Sequence, residues 1–435
     1  MVAAMVAFAY VSGSFGFIGA ILGGALAGTF GSITFVQSLV PTARFTLSVI
    51  RVGVGLEPTG DPAFYMGGDV PGVATWDETG EGLGWSQGYG LPAIKKPSKV
   101  KAGNYRDIQV RHNSRNNGSP TYLAISANGN DAICVSFVAI TEPSGLSRGW
   151  TGDIGAHCGG NWFYSAQIVG EGNYRPRCVW IAKGRNSIGT EARAFGVHLP
   201  DFSGDQPGLS EQFSKDDTTM CGSQPRFSFY SEFEPGTHFL PVFKPALKYQ
   251  PNGADADISK LWTNGSLNGH RGGIPIPWEP VGRSTRGGAR PPGLESPIRP
   301  AMMRPQKAPG MKRDGSSSNQ TEAGPYEDTI VVTNYKAHET EALCNSPTSA
   351  GPSLVNTEEG FFCDMTTRKR YPVCGGRTVC GCLDLGSHST SRGLNATMGN
   401  GTAPFMQTCK RSYARDTSSN TVVPNRSFGK VLDWT

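Results

Sequence analysis

Charge is scarce in this chain and absent from its start. Asp, Glu, Lys and Arg make up 17% of the 435 residues, and the first of them is Arg44. The net charge of +5 is small and concentrated: residues 272–325 carry eight Lys and Arg (Arg283, Arg286, Arg290, Arg299, Arg304, Lys307, Lys312, Arg313) against four acids (Glu279, Glu295, Asp314, Glu322). A nucleic-acid binder displays its positive charge on a folded face with aromatic or helical readers. A neutral remainder with its charge on one stretch excludes that class. Helical periodicity is nearly missing, which argues against an α-rich fold. The apolar fraction, 37%, lies below the roughly 45–50% of a compact globular chain, so part of the chain is expected outside any core. No C-x2-C pair occurs. The only tight cluster, Cys374, Cys380 and Cys382, does not have the paired spacing of zinc modules, and neither a metal nor a cofactor is expected.

What residues 1–43 have instead is Gly and Ala at four-residue spacings, as in Ala20, Gly24 and Gly28. Small residues at that interval let membrane helices approach closely, and Phe15 to Val36 is long enough to span a hydrocarbon core. The stretch therefore reads as a membrane helix or glycine-rich helical hairpin. A signal peptide lacking the usual basic n-region, a buried apolar segment, or a start inside a longer protein are the alternatives.

The ten cysteines fall in two even blocks: Cys134, Cys158, Cys178 and Cys221, then Cys344, Cys363, Cys374, Cys380, Cys382 and Cys409. Even blocks without metal spacing point to disulfides and an oxidising compartment. Their connectivity stays open, with three pairings possible in the first block and fifteen in the second. N-x-S/T sequons at Asn264, Asn319, Asn395, Asn400 and Asn425 add independent support for an extracytoplasmic, glycosylated chain, and Asn117 is a weaker sixth.

Residues 44–101 are rich in Gly, Pro and acid, show no clear period, and read as irregular connecting structure. Residues 102–271 form a β-rich, disulfide-containing domain. Runs such as YRDIQVRH (Tyr105 to His112), DAICVSFVAIT (Asp131 to Thr141) and RFSFYSEF (Arg226 to Phe233) are rich in β-branched and aromatic residues and bounded by turn clusters. In the second run Ile133, Val135, Phe137 and Ala139 alternate onto one face; the other face is also apolar, so this strand is expected to be central and covered on both sides. About eight such strands with short turns predict a β-sandwich or open barrel.

Residues 272–325 hold ten prolines and nine glycines, a composition that cannot bury enough surface to order itself, and read as a disordered Pro/Gly/Arg-rich linker. Lys312-Arg313 within it is a candidate dibasic processing site. Residues 326–435 read as a small Cys-rich module: a strand over Glu327 to Tyr335, a short helix to Asn345, a hairpin over Glu359 to Cys374, and a loose tail past Ser387. Because no bridge need cross the linker, processing would be expected to release this module.

Catalytic signals are weak. Gly145-Leu146-Ser147-Arg148-Gly149 matches G-x-S-x-G, but Pro143 breaks the strand before it and no helical period follows, so a hairpin turn accounts for it. Asp153 and His157, in a polar loop beside Cys158 and Trp162, and His198 at a strand end are the candidate catalytic residues; paired acids for glycoside hydrolysis would require Asp131, Asp153 and Asp201 to converge. Trp150, Trp162, Trp180 and Tyr164 read as core anchors rather than a sugar-stacking platform.

The segments DAICVSFVAIT, GWTGDIGAHCGGNWFYS, RCVWIA and LCNSPTSAGPSLVNTEEGFFCDMTTRKRYPVC resemble a family of fungal secreted or membrane-tethered Cys-rich proteins of unknown function, over Tyr105 to His238 and Thr329 to Leu383. The resemblance implies an A-I-C strand, a G-D-x-G-x-x-C-G loop and an F-C-D-M module, and brings no catalytic residue with it. The expectation is a non-enzymatic, extracellular or membrane-anchored binding or surface protein, with cell-wall carbohydrate or a surface protein as candidate partner. A carbohydrate-active hydrolase or oxidase near Asp153 and His157 is the alternative.

Overall fold

The structure, a computed structural model, describes residues 15–20, 29–44, 46–55, 66–86, 99–112, 118–255, 271–276, 326–375, 381–385, 405–407 and 427–435. It is mainly β, as the alternating apolar runs require. One antiparallel sheet runs, in hydrogen-bonded order, Trp162–Phe163, Cys178–Ile181, Ile133–Thr141, Leu47–Val54, Tyr105–Arg111, with Ser147–Thr151 also paired to Ile133–Thr141. A second runs Ile274–Pro275, Phe227–Glu232, Ala194–His198, Tyr122–Ser126, Gly72–Trp76, Gly82–Ser86. Ile50, Val52, Val138 and Ile140 of the first share a single core with Leu123, Ile125, Phe195 and Val197 of the second, which makes a sandwich. Trp150 stacks on Phe195 across it at 4.5 Å between ring centroids.

Ile133–Thr141 is buried along its whole length, as its two apolar faces predict, but the alternation is broken. Its register against Leu47–Val54 shifts between Val135 and Phe137, a bulge that turns the following residues over. Ile133 and Val135 consequently join the inner core with Val138 and Ile140, whereas Phe137 and Ala139 face outward into a separate cluster. The GLSRG match falls on the hairpin that follows, where Gly145 has φ +89° and Thr141 faces Ser147.

Two regional expectations are corrected. Residues 44–101 are not merely connecting: Leu47–Val54 lies next to the central strand, and Gly72–Trp76 with Gly82–Ser86 closes one edge of the second sheet. Gly53 hid this contribution from the sequence, because its lack of a side chain makes room for the Phe137 ring, 1.9 Å from where a Cβ would stand. Nor is Phe15 to Val36 a membrane helix. Gly16–Ala20 and Phe30–Thr34 pair as antiparallel strands, and Phe17 and Phe35 pack on Phe137, Ala139 and Val169 over the outer face of the first sheet. A Cβ at Gly149 would strike the Phe35 ring at 2.5 Å, so glycine on the sheet admits the aromatic layer. Gly19 serves the same close packing from the hairpin side, a Cβ there meeting Ile33 and Tyr174 at 2.6 and 2.7 Å, while Gly24 and Gly28 lie outside the described residues. Among the described residues no helix is long and apolar enough to cross a membrane.

The C-terminal part is a five-stranded sheet in the order Lys369–Pro372, Phe361–Asp364, Ser353–Asn356, Thr329–Thr333, Lys430–Asp433, with the helix Thr340–Asn345 in the crossover. The expected strand, helix and hairpin are all present. The chain's end is not loose: Lys430–Asp433 pairs in parallel with Thr329–Thr333, and Trp434 is buried. Nor does this part stand apart from the sandwich. Val331, Leu343, Leu354 and Trp434 belong to the same core as the two sheets.

Among the described residues four disulfides are formed: Cys134–Cys178, Cys158–Cys221, Cys344–Cys363 and Cys374–Cys382. Each stays within its block. Cys380, Cys409, all six sequons, the Lys312-Arg313 pair and nearly all of the linker lie outside the described residues.

Candidate functional site

The three candidate residues do not form one site. Asp153 and His157 are carried by the short helix Gly152–His157, and His198 ends a strand of the second sheet.

Asp153 is buried at 1% exposure. Its carboxylate accepts a very short hydrogen bond from the Tyr174 hydroxyl and another, 3.2 Å, from the Arg177 amide. Burial pushes its pKa up to about 6, against the opposing pull of Arg177 and Tyr174. Such a value suits a general acid, but both carboxylate oxygens are engaged. His157 points elsewhere: its Nε2 is 3.6 Å from Asp217, its ring meets Phe30 edge-on, and burial lowers its pKa.

His198 is the centre of a buried charge network. Its Nδ1 is 2.9 Å from Asp201 Oδ2 and its Nε2 is 2.9 Å from Glu78 Oε2. Asp201 also accepts from Arg226 Nε at 2.8 Å and from the Tyr249 hydroxyl at 2.6 Å; Arg226 Nη2 continues to Asp255 at 2.7 Å, and Nη1 to the Thr219 carbonyl at 2.6 Å. Burial alone would lower the His198 pKa, but Asp201 and Glu78 outweigh it and hold the imidazole up at about 9. Burial would raise Asp201, yet Arg226 and His198 keep its carboxylate well below the usual range. An imidazole donating from both nitrogens has no lone pair with which to take a proton from a substrate. The cluster instead braces the Glu78 turn and the Tyr249–Asp255 loop against the second sheet.

Asp131, Asp153 and Asp201 do not converge. Asp131 pairs with Lys99 at the surface, and the other two sit in the separate environments just described. Trp150, Trp162, Trp180 and Tyr164 are buried. Trp150 fills the sandwich, while the other three secure the C-terminal part: Trp162 Nε1 donates to Ser346 Oγ, Trp180 Nε1 to the Ala350 carbonyl, and the Tyr164 hydroxyl to the Glu339 carbonyl.

Sequence reasoning missed Glu78, Arg226, Tyr249 and Asp255 around His198, and Arg175, Arg177 and His338 at the seam between the parts. Only the His198–Asp201 spacing lay within reach of a local pattern. Among the described residues no group of three or more His, Cys, Asp and Glu is placed to hold a metal ion.

Among the described residues the most exposed large apolar side chain is Trp85, at 53%. It lies on Gly82–Ser86, the edge strand of the second sheet. Gly236, at φ +83°, sits under the indole, and a Cβ there would lie 2.6–2.9 Å from ring atoms. The ring is thus held against a turn that requires glycine, with much of its surface open to solvent. Compared with known proteins, the sequence matches no family model and no curated protein.

Proposed function

We propose that this is a non-enzymatic extracytoplasmic protein, secreted or membrane-tethered, that acts in binding or at the cell surface, in line with its resemblance to fungal secreted Cys-rich proteins. The observation that carries the reading is cystine use: all eight described cysteines are bridged, an arrangement that persists in oxidising compartments and is rare in the cytosol. Support also comes from the candidate residues. Asp153 and His198 spend their hydrogen-bonding capacity on buried protein partners, which suits structural rather than catalytic work. Trp85 offers the binding face. An indole seated on a turn suits the apolar face of a pyranose ring, and Glu234, paired with Arg193, and the exposed Thr237 stand within two residues of the Gly236 turn in sequence.

Expression with secretion, followed by intact mass before and after deglycosylation and under reducing and non-reducing alkylation, tests the compartment. Exported, glycosylated material with no alkylatable thiol supports the reading, and ten free thiols overturn it. Co-sedimentation with insoluble cell-wall polysaccharide tests the ligand class. Trp85→Ala should lower retention about tenfold, the scale of a lost aromatic anchor; unchanged retention removes Trp85 from the binding face.

A further inference from the structure

We infer that the C-terminal sheet is fastened to the sandwich by a proton-sensitive latch, His338, which releases the sheet when its imidazole takes up a second proton. This goes beyond the binding role and does not depend on it.

His338 lies between the strand Thr329–Thr333 and the helix Thr340–Asn345, fully buried. Its Nε2 is 3.3 Å from the Ser165 carbonyl of the sandwich. A carbonyl only accepts, so Nε2 carries the ring proton. Nδ1, 3.0 Å from Thr333 Oγ1, must then accept. The Thr333 hydroxyl is set to donate to it, because its oxygen already receives the Tyr335 amide at 3.2 Å. The neutral ring is thereby satisfied at both nitrogens, one in each part of the molecule. Tyr164, Tyr335 and Trp434 enclose it, with centroids 4.6, 4.9 and 5.7 Å away.

A second proton would have poor company. The charged groups acting most strongly on the ring are two cations, Arg175 and Arg177. Arg175 stacks over Tyr335 at 4.7 Å and Arg177 over Trp162 at 4.4 Å, and both Nε atoms are buried without an acceptor. Protonation would add a third positive charge and oblige the Thr333 hydroxyl to turn its own proton away from Nδ1. Burial first, then Arg175 and Arg177, hold the His338 pKa down at about 3. Once the seam opens, the ring reverts to an ordinary value near 6.5. Between those limits only the open form binds the proton, so closure is strongest above about pH 6.5 and weakens as pH falls. The carboxylates at the seam act in the opposite sense. Burial raises the pKa of Asp153, held by Tyr174 and the Arg177 amide, and of Glu339, so their protonation favours the closed form. Glu359 is tied to Thr340 and Arg370. No described disulfide crosses the seam, so no covalent bridge among the described residues holds it shut when the latch opens.

Hydrogen exchange of the full-length oxidised chain at pH 7.5 and 4.5, corrected for intrinsic rates, tests this. The seam reporters are the Trp162 and Ala350 amides, bonded to the Thr348 and Trp162 carbonyls at 3.2 and 2.8 Å. The controls are amides of Leu47–Val54 and Ile133–Thr141. The seam should lose protection in acid, with His338 alone contributing about 100-fold at pH 4.5, one decade per pH unit below 6.5, and the uptake by Asp153 and Glu339 offsetting part of it, while the controls hold. In His338→Gln, whose amide can still bond Ser165 and Thr333 but does not titrate, the acid loss should disappear. Equal seam protection at both pH values in the wild type overturns the proposal, as does matching loss in the controls or the same acid loss in the variant. If His338→Gln fails to fold, the wild-type comparison of seam with controls decides.

Discussion

Trp162 Nε1 donates a 3.0 Å hydrogen bond to Ser346 Oγ, 184 residues further along the chain. It is one of several bonds joining the sandwich to the C-terminal sheet. Trp162 also forms a backbone bridge with Ser349, and Trp180 and Tyr164 reach Ala350 and Glu339. The two cysteine blocks, which look like separate modules in sequence, meet in one core.

Cutting the chain between residues 276 and 326 should therefore not free the C-terminal part. Size-exclusion chromatography at neutral pH of material cleaved after Arg313 should give a single complex, which denaturing electrophoresis resolves into two polypeptides. Two separate peaks under native conditions would contradict the shared core.

Peptide mapping without reduction should recover Cys134–Cys178, Cys158–Cys221, Cys344–Cys363 and Cys374–Cys382. Cys380 and Cys409 are then left to each other by parity. The nearest described ladder pair, Cys382 opposite Gln407, is two residues from each, so a 380–409 bridge is the fifth expected. A bridge between the two blocks would refute this map.

Phe17 is fully buried against Phe35, with centroids 4.5 Å apart. Phe17→Ala should cost about 3–5 kcal/mol, the usual range for a buried phenylalanine, measured by denaturant unfolding of soluble protein. A cost under about 1 kcal/mol would mean that the N-terminal hairpin is not part of the folded core.

Arg226 is surrounded by buried partners, Asp201 and Asp255 among them. Arg226→Met removes the guanidinium from both buried acids, leaving Asp201 with His198 and Tyr249, and should destabilise by about 3–5 kcal/mol in denaturant unfolding, whereas a solvent-screened pair would lose under about 1 kcal/mol.

His198 has its pKa raised to about 9, so the folded state holds a proton that an unfolded histidine releases near 6.5. Its stabilisation is complete below about pH 6.5 and is lost as pH rises through about 9. Denaturation midpoints should fall across that window in the wild type. The same fall in His198→Gln would assign it to another group.

Much of the architecture was legible in the sequence because strand pattern is local. Two apolar faces placed the Ile133–Thr141 strand in the middle of a sheet, and MTTRKR marked the turn of the Glu359 to Cys374 hairpin, although Lys369 and Arg370 belong to its second strand. The Trp85 seat and the charge network were not legible. Glu78 and Asp255 lie far from His198 in sequence, and glycines such as Gly53, Gly149 and Gly236 encode a neighbour's ring by omission.

By itself, the sequence determined a mainly β, cystine-bridged chain, since period-2 alternation and even cysteine blocks depend only on near neighbours. The tertiary structure decided where the apolar start goes, whether the blocks stand apart, and which of several polar residues meet. Those outcomes turn on burial against partners from tens to more than a hundred residues away. Whether a Gly/Ala-rich stretch packs as a helix in lipid or as strands over a sheet depends on the presence of an apolar face such as Phe137 and Ala139 to receive it. No local pattern records that face.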